Sequence, residues 1–323
     1  MLRTLIHHPL TRRAVASLAT LLGVAVFVFV LLRAIPGDQI TAALGTEAAA
    51  LTPEQRADLE AYYGIDQPLV LQFFSWLGNL LTGNLGYSTR SQESVLDLTL
   101  ASLPITFELA VLAILLALLI GVPLGMLSAS RPDSPRDAAG QLVGLAGLSI
   151  PAFLLATTLL SVLASSLGFN PNGKAFAPLF EDPALNLQQM LLPSLVLGFG
   201  IAAPIMRTTR TAVLEVRSHD FVRTARAKGV GARRLQVRHV LGNALVPIVT
   251  MVGLQFGYLL GGAVVVEQVF SVPGIGRQVL LGIQQKDYAL VQSTVLVIAA
   301  AFVLVNLLTD LAYRLIDPRV RAA

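Results

Sequence analysis

Residues 240–266 run for 27 positions without a charged side chain, and this run constrains the fold more than any other feature. At about 1.5 Å of rise per residue, a helix of that length crosses the ~30 Å hydrocarbon layer of a bilayer with residues to spare. Only a helix satisfies every backbone N–H and C=O within one such segment. Residues 14–32, 109–130, 138–170, 187–206 and 288–309 have comparable length and apolarity. The chain therefore reads as an all-α, polytopic membrane protein with six transmembrane helices. Charged residues make up 13% of the chain, against roughly 25% in soluble domains. With no cysteine, neither a disulfide framework nor a thiolate metal site can form, and four histidines leave little for a metal cluster.

The first run follows Arg12 and Arg13 as the core of a signal peptide would. It is long and shows no small-x-small cleavage pattern before Pro36 and Gly37, so it is expected to be retained, with Arg33 snorkelling to the interface. The second run extends back toward Leu98, which puts Glu108 inside or at the edge of the bilayer. The third is interrupted at Pro151, where the missing N–H frees a carbonyl and bends the helix. The fourth contains Pro193 and Pro204.

Lysine and arginine orient the spans. With the N-terminus on the cytoplasmic side, 17 of the 23 basic residues fall inside, nine of them between Arg207 and Arg238. Both termini are then cytoplasmic. The segment 33–97 lies outside and is too long for a turn. Thr52 followed by Pro53 marks a helix start within residues 51–63. Residues 69–81, which hold the only tryptophan, Trp76, are too few to span and read as an interfacial or lid helix. The loops 168–186 and 270–287 border the mouth of whatever the helices enclose.

Gly253, Gly257 and Gly261 are spaced four apart and share one helix face, suited either to close packing or to lining a pathway, with Gln255 beside it. Gly140 and Gly144 repeat the pattern. Glu108 and Glu267 are the carboxylates closest to the membrane interior, placed either at its interface or in a polar passage. So few intramembrane charges argue against ion-coupled transport. No His-Glu-x-x-His motif and no serine with a His/Asp partner pattern supports an embedded enzyme. The basic loop 207–239 exceeds what orientation requires. It serves either to bind anionic lipid or to dock a cytoplasmic partner through a short crosswise helix, with Asp220 near its start and a sharp turn at Gly229 to Gly231.

The same loop carries TARAKG at 224–229 and RHVLGNALVP at 238–247. Further strings follow in order: PGD at 36–38, YGIDQPL at 63–69, GNLGYS at 83–88, IPAF at 150–153, GGAVVVEQVFSVPGIG at 261–276 and NLLTDLAYRLIDPR at 306–319. Together they resemble the inner-membrane permease subunits of binding-protein-dependent ABC importers, in the dipeptide/oligopeptide/nickel branch of DppB/OppB type. The resemblance covers essentially the whole chain.

That resemblance implies a type I ABC importer permease fold forming one permease domain over 1–323, in the bacterial cytoplasmic membrane. It implies a second related permease subunit, two cytoplasmic ATPase subunits and an extracytoplasmic substrate-binding protein as partners, with membrane lipid around them and no nucleic acid. In the family this loop holds a coupling helix that fits a groove on the ATPase. Arg223, Thr224 and Ala225 occupy the family's Glu-Ala-Ala positions and Gly229 the following glycine, of which only the second alanine and the glycine match. Leu241 fits the later leucine, and Gly242 replaces a proline. Coupling is thus expected at Arg223, Thr224, Ala225, Arg226, Ala227, Lys228 and Gly229, with Arg233, Arg234 and Arg238 positioning the loop. Asn84, Gly86, Glu267, Phe270, Pro273 and Gly274 are the expected outer gate or binding-protein contacts. The chain lacks a G-x-x-x-x-G-K-[ST] phosphate loop, so ATP and Mg would be bound by the partner subunits. Peptides are the default solute, with nickel chelates and glutathione as variants. A channel or secondary transporter without an ATPase, an exporter and a non-transporting scaffold are the competing readings.

Overall fold

The computed structural model describes residues 9–34, 39–168 and 170–316. The string at 36–38 and the last three residues of the string at 306–319 lie outside the described residues. Within them, regular structure is helical except for one isolated bridge between Tyr87 and Ser94. The helices are α1 (Pro9–Ala34), α2 (Gln39–Leu44), α3 (Pro53–Tyr63), α4 (Leu69–Leu81), α5 (Val95–Ser130), α6 (Pro135–Ser149), α7 (Ala152–Leu167), α8 (Pro183–Ser218), α9 (Asp220–Ala227), α10 (Gly242–Gly262), α11 (Val264–Val269), α12 (Ile275–Gln284) and α13 (Tyr288–Ile316). A 3-10 turn, Gly45–Ala50, follows α2; a short turn, Ala232–Arg234, and a π-helical segment, Leu235–Leu241, lead into α10.

Among the described residues, five helical segments are long and apolar enough to cross a membrane: residues 12–34, α5, α8, residues 232–261 and residues 288–309. The sixth apolar stretch is not one helix. α6 and α7 meet at 95°, so the bend expected at Pro151 is a complete break. The residue before proline is driven out of the helical region, and Ile150 accordingly adopts ψ 117° while Pro151 becomes the N-cap of α7. Two spans run longer than expected. α5 starts at Val95, and α8 continues past Met206 to Ser218, each reaching 36 residues. The first twelve residues of the basic segment, 207–218, are therefore helix continuing out of a span.

The short helices at 53–63 and 69–81 form where local chemistry places them. Thr52 accepts from the N–H of Gln55 while the Gln55 side chain accepts from the Thr52 N–H, a capping box with Pro53 in the first turn. Gly64 ends α3 in the left-handed conformation.

The chain divides into two compact units, Met1–Pro104 with Gly274–Val303 and Ile105–Pro273 with Leu304–Ala323. In the first, Val28 and Leu32 of α1 pack with Tyr288 and Val291 of α13, and Leu85, Val95 and Leu290 form a second small cluster. In the second, Leu109, Ala113 and Ala117 of α5 meet Met190, Leu197, Ile201 and Ile205 of α8. Small residues set that distance. A Cβ at Gly121 would stand 2.7 Å from the Ala202 carbonyl oxygen, and one at Gly125 would stand 2.6 Å from that of Met206. Gly140 of α6 meets the Met206 side chain across the same helix, α8.

Candidate functional site

The basic segment is built on the protruding end of α8. Val213 and Val216 on that extension are buried with Val222 of α9, Leu235 and Val240 of the π-helical segment, and Ala244 and Ile248 of α10. α9 contributes one fully buried side chain, Val222 at 1% exposure, with Ala225 packed against the same cluster. Its remaining face is free. Phe221 is 42% exposed, and Arg223, Thr224, Arg226, Ala227 and Lys228 are all exposed. α9 is thus an eight-residue amphipathic helix, held by one valine and one alanine.

Its C-terminus closes as a Schellman motif. Val230 N–H donates to the Ala225 carbonyl and Gly229 N–H to that of Arg226, with Gly229 at φ +78°. The apolar contact that accompanies such a cap comes from Val230 and Ala225, which pack on the same cluster. Of the two expected turn glycines only Gly229 needs to be glycine. Gly231 lies at φ −58°, ψ 144°, open to other residues. Arg233, Arg234 and Arg238 are exposed on the following turn. The π-helical segment then feeds α10, whose Pro247 lies inside the helix. Extra-wide turns of this kind occur in short pieces, often at functional sites.

A polar staple, which sequence reasoning missed, holds the base of this assembly. Arg210 of α8 binds Asp137 of α6 through two parallel bonds, Nε to Oδ1 at 2.8 Å and Nη2 to Oδ2 at 2.7 Å. Asp137 has 0% exposure and also accepts from Ser128 Oγ, the Asp133 N–H and Gln141 Nε2. One carboxylate joins the last turn of α5 and the first turn of α6 to Arg210 of α8, in the geometry that suits a guanidinium fork. Arg217 adds a bond to the Ala129 carbonyl at 2.5 Å. The signal for Asp137 was the Ser134-Pro135 start three residues earlier, a helix N-terminus that places a carboxylate in the first turn.

The other expected residues lie apart from this cluster. Glu267 has 0% exposure and accepts from Thr106 Oγ1 at 2.5 Å, so it is enclosed by protein rather than held at a lipid interface. Phe270 and Gly274 are buried and Pro273 is partly so. Asn84 is exposed, and its Oδ1 accepts from the Gly86 N–H, where the chain takes φ +87°. Glu108 lies within α5 with Oε2 3.5 Å from Asn186 Nδ2. The Gly253, Gly257 and Gly261 face divides: Gly253 abuts Thr309, Gly257 is buried, and Gly261 faces open space. Gln255 is partly buried. Sequence reading also missed Asp287. It is fully buried, accepts from Ser88 Oγ at 2.6 Å and from the Thr89 N–H at 3.0 Å, and caps α13 through the Leu290 N–H.

The chain is similar to known proteins over most of its length. The family described as binding-protein-dependent transport system inner membrane component matches residues 121–322, and the N-terminal membrane component of the same systems matches residues 1–110. A putative peptide permease protein of Brucella ovis is 40% identical over 324 residues, 99% of each chain. The glutathione transport system permease protein GsiC of Pectobacterium atrosepticum is 40% identical over 312 residues, 96% of this chain and 97% of that one. A chain of the inward-facing MetNI methionine ABC transporter has the same fold, with a TM-score of 0.56 over 68% of this chain and 96% of its own at 16% identity.

Proposed function

Since the chain belongs to the binding-protein-dependent transport system inner membrane components and is a non-catalytic, multi-pass permease subunit of an inner-membrane ABC importer, we propose that it carries di- or oligopeptides and is driven through α9. Two ATPase subunits bind ATP and Mg and supply the stroke, a second related permease completes the pathway, and an extracytoplasmic binding protein delivers the solute. The observation that carries this reading is the two-faced α9, anchored by Val222 among side chains of α8 and α10 while Phe221, Arg223, Thr224, Arg226, Ala227, Lys228 and Gly229 stay exposed. A push on that face reaches two long helices through one apolar cluster.

The basic-residue asymmetry supports both termini and residues 219–241 on the cytoplasmic side, and six spans result when α6 and α7 count as one broken crossing. Arg233, Arg234 and Arg238 flank the partner groove. Asn84 and Gly86 in one unit, and Glu267, Phe270, Pro273 and Gly274 taken separately, are the residues proposed for the outer gate or the binding-protein contact, with the buried Glu267 and Phe270 acting as supports rather than as contacts. The equal identity of the glutathione permease relative favours a small peptide of that kind as the second candidate solute.

The test is reconstitution in proteoliposomes with the partner subunits. Uptake of labelled dipeptide requires ATP and the binding protein, and an excess of glutathione measures the second reading by competition. Arg233→Glu with Arg234→Glu is expected to release the ATPase subunits from the purified complex. Uptake by this chain alone, or full ATPase retention by that double variant, defeats the proposal.

A further inference from the structure

Arg33 occupies the last turn of α1, at the end of a membrane-spanning segment. Where the sequence suggests only a side chain snorkelling to the interface, the structure shows one held by protein groups. Its Nε and Nη2 both donate to Gln72 Oε1 at 3.1 Å, Nη1 lies 3.4 Å from Gln292 Oε1, and the guanidinium carbon stacks 3.4 Å from the centre of the Phe29 ring. Gln72 is itself fixed, its Nε2 donating to the carbonyls of Gln67 and Ile65. These partners are all neutral. Guanidinium is always charged, and this one meets no carboxylate among the described residues.

The side chain lines a cavity of about 230 Å³. Gln67, Ser75, Trp76, Asn79, Asn84 and Gln292 are among the other lining groups, and no lining residue is acidic. Among the described residues, Gln292 Nε2 donates to nothing. The cavity thus offers one positive charge, held in place by uncharged acceptors, together with a ring of amides and the hydroxyls of Ser75 and Ser293. That donor set fits a single anion carrying hydroxyl groups. The volume is below the roughly 300–1,000 Å³ of sites that enclose drug-sized solutes, so a peptide does not fit.

Position selects the source. α4 borders the cavity through Gln72, Ser75, Trp76 and Asn79, while its Leu69, Val70, Leu71 and Phe74 stay exposed. An apolar helix face with a tryptophan beside the end of a span belongs at headgroup level. We propose that this cavity is a site for the phosphodiester headgroup of an anionic phospholipid, with Arg33 on the phosphate and the amides on the glycerol hydroxyls. A zwitterionic lipid fits less well, because no carboxylate in the lining receives its ammonium.

Native mass spectrometry of the full chain, released from nanodiscs of phosphatidylcholine with or without phosphatidylglycerol, tests this directly. Wild type is expected to retain phosphatidylglycerol selectively. Arg33→Gln is expected to bind it about tenfold or more weakly, the worth of one charge-assisted hydrogen bond, and Arg33→Lys to keep part of the selectivity. Asn79→Glu leaves the arginine clamp intact while placing a carboxylate in the lining. It is expected to lose phosphatidylglycerol to a similar degree, and it decides the matter should Arg33→Gln fail to fold. Equal retention of both lipids by wild type, or undiminished phosphatidylglycerol binding in Asn79→Glu, overturns the site. Displacement of the retained lipid by millimolar inorganic phosphate supports the phosphate contact; binding of phosphate with no preference for phosphatidylglycerol overturns the lipid assignment.

Discussion

Neighbouring residues Phe221 and Val222 separate two roles of α9, anchoring and presentation, and substituting each in turn measures both. Val222→Ala removes two methyl groups from a side chain that is 1% exposed. At ~0.8 kcal/mol per buried carbon the transfer loss is about 1.6 kcal/mol, and the residual cavity brings the total to about 2 kcal/mol. Because α9 has no other fully buried side chain, most of this loss falls on the local equilibrium that docks the helix against α8. At 1.4 kcal/mol per decade the undocked population rises about 30-fold. Amide hydrogen exchange, followed by mass spectrometry on peptides covering residues 220–231, reads that rise directly. Phe221→Ala removes a larger side chain from the free face and is expected to leave exchange unchanged while weakening retention of the ATPase subunits. Wild-type exchange in Val222→Ala, or faster exchange in Phe221→Ala, refutes the assignment of the two faces.

Further substitutions follow from the packing. Gly125→Val drives a side chain into the Met206 carbonyl and Thr209 and is expected to lower the melting temperature in detergent by the cost of overpacking, about 1–3 kcal/mol or more. Gly231→Ala, with open space and negative φ, is expected to be neutral to mildly stabilising in the same melt, whereas Gly229→Ala at φ +78° costs roughly 1 kcal/mol. Asp287→Ala removes the cap of α13 together with its bonds to Ser88 and Thr89. A cost of about 1–2 kcal/mol for the cap alone is expected as a lower melting temperature, with protection lost first around residues 85–90. Asp137→Ala and Arg210→Met are each expected to destabilise strongly, and the double variant less than their sum, since either single change strands a buried partner; additive melting shifts contradict a coupled staple.

Much of the framework was legible in sequence because the bilayer removes choice. Any segment of about 20 apolar residues must pair its own backbone groups, so helices over residues 14–32, 109–130, 187–206, 240–266 and 288–309 follow from apolarity alone, and each lies within or overlaps one of the longer spans of the structure. Local chemistry was equally readable where it is complete within a few residues, as at the Thr52 to Gln55 capping box, the helix at 69–81 and the left-handed turn at Gly229. Span boundaries were not readable. α8 runs on to Ser218 because Val213 and Val216 find apolar partners on α9, the π-helical segment and α10, and nothing in the alternation of charges near Arg207 announces that.

Polar pairings across long sequence separations were hidden for the same reason. Asp137 and Arg210 are 73 residues apart and Ser88 and Asp287 are 199 apart, and each taken alone looks like an ordinary surface residue. The sequence by itself determined a helical membrane protein, its basic face and its permease family. Tertiary structure alone decided which charges are enclosed and paired, that the crossing near Pro151 breaks at 95°, and that Arg33 lines a polar cavity. The physical reason is that burial and hydrogen-bond satisfaction depend on which distant segments come together, whereas helix formation in lipid depends only on the segment itself.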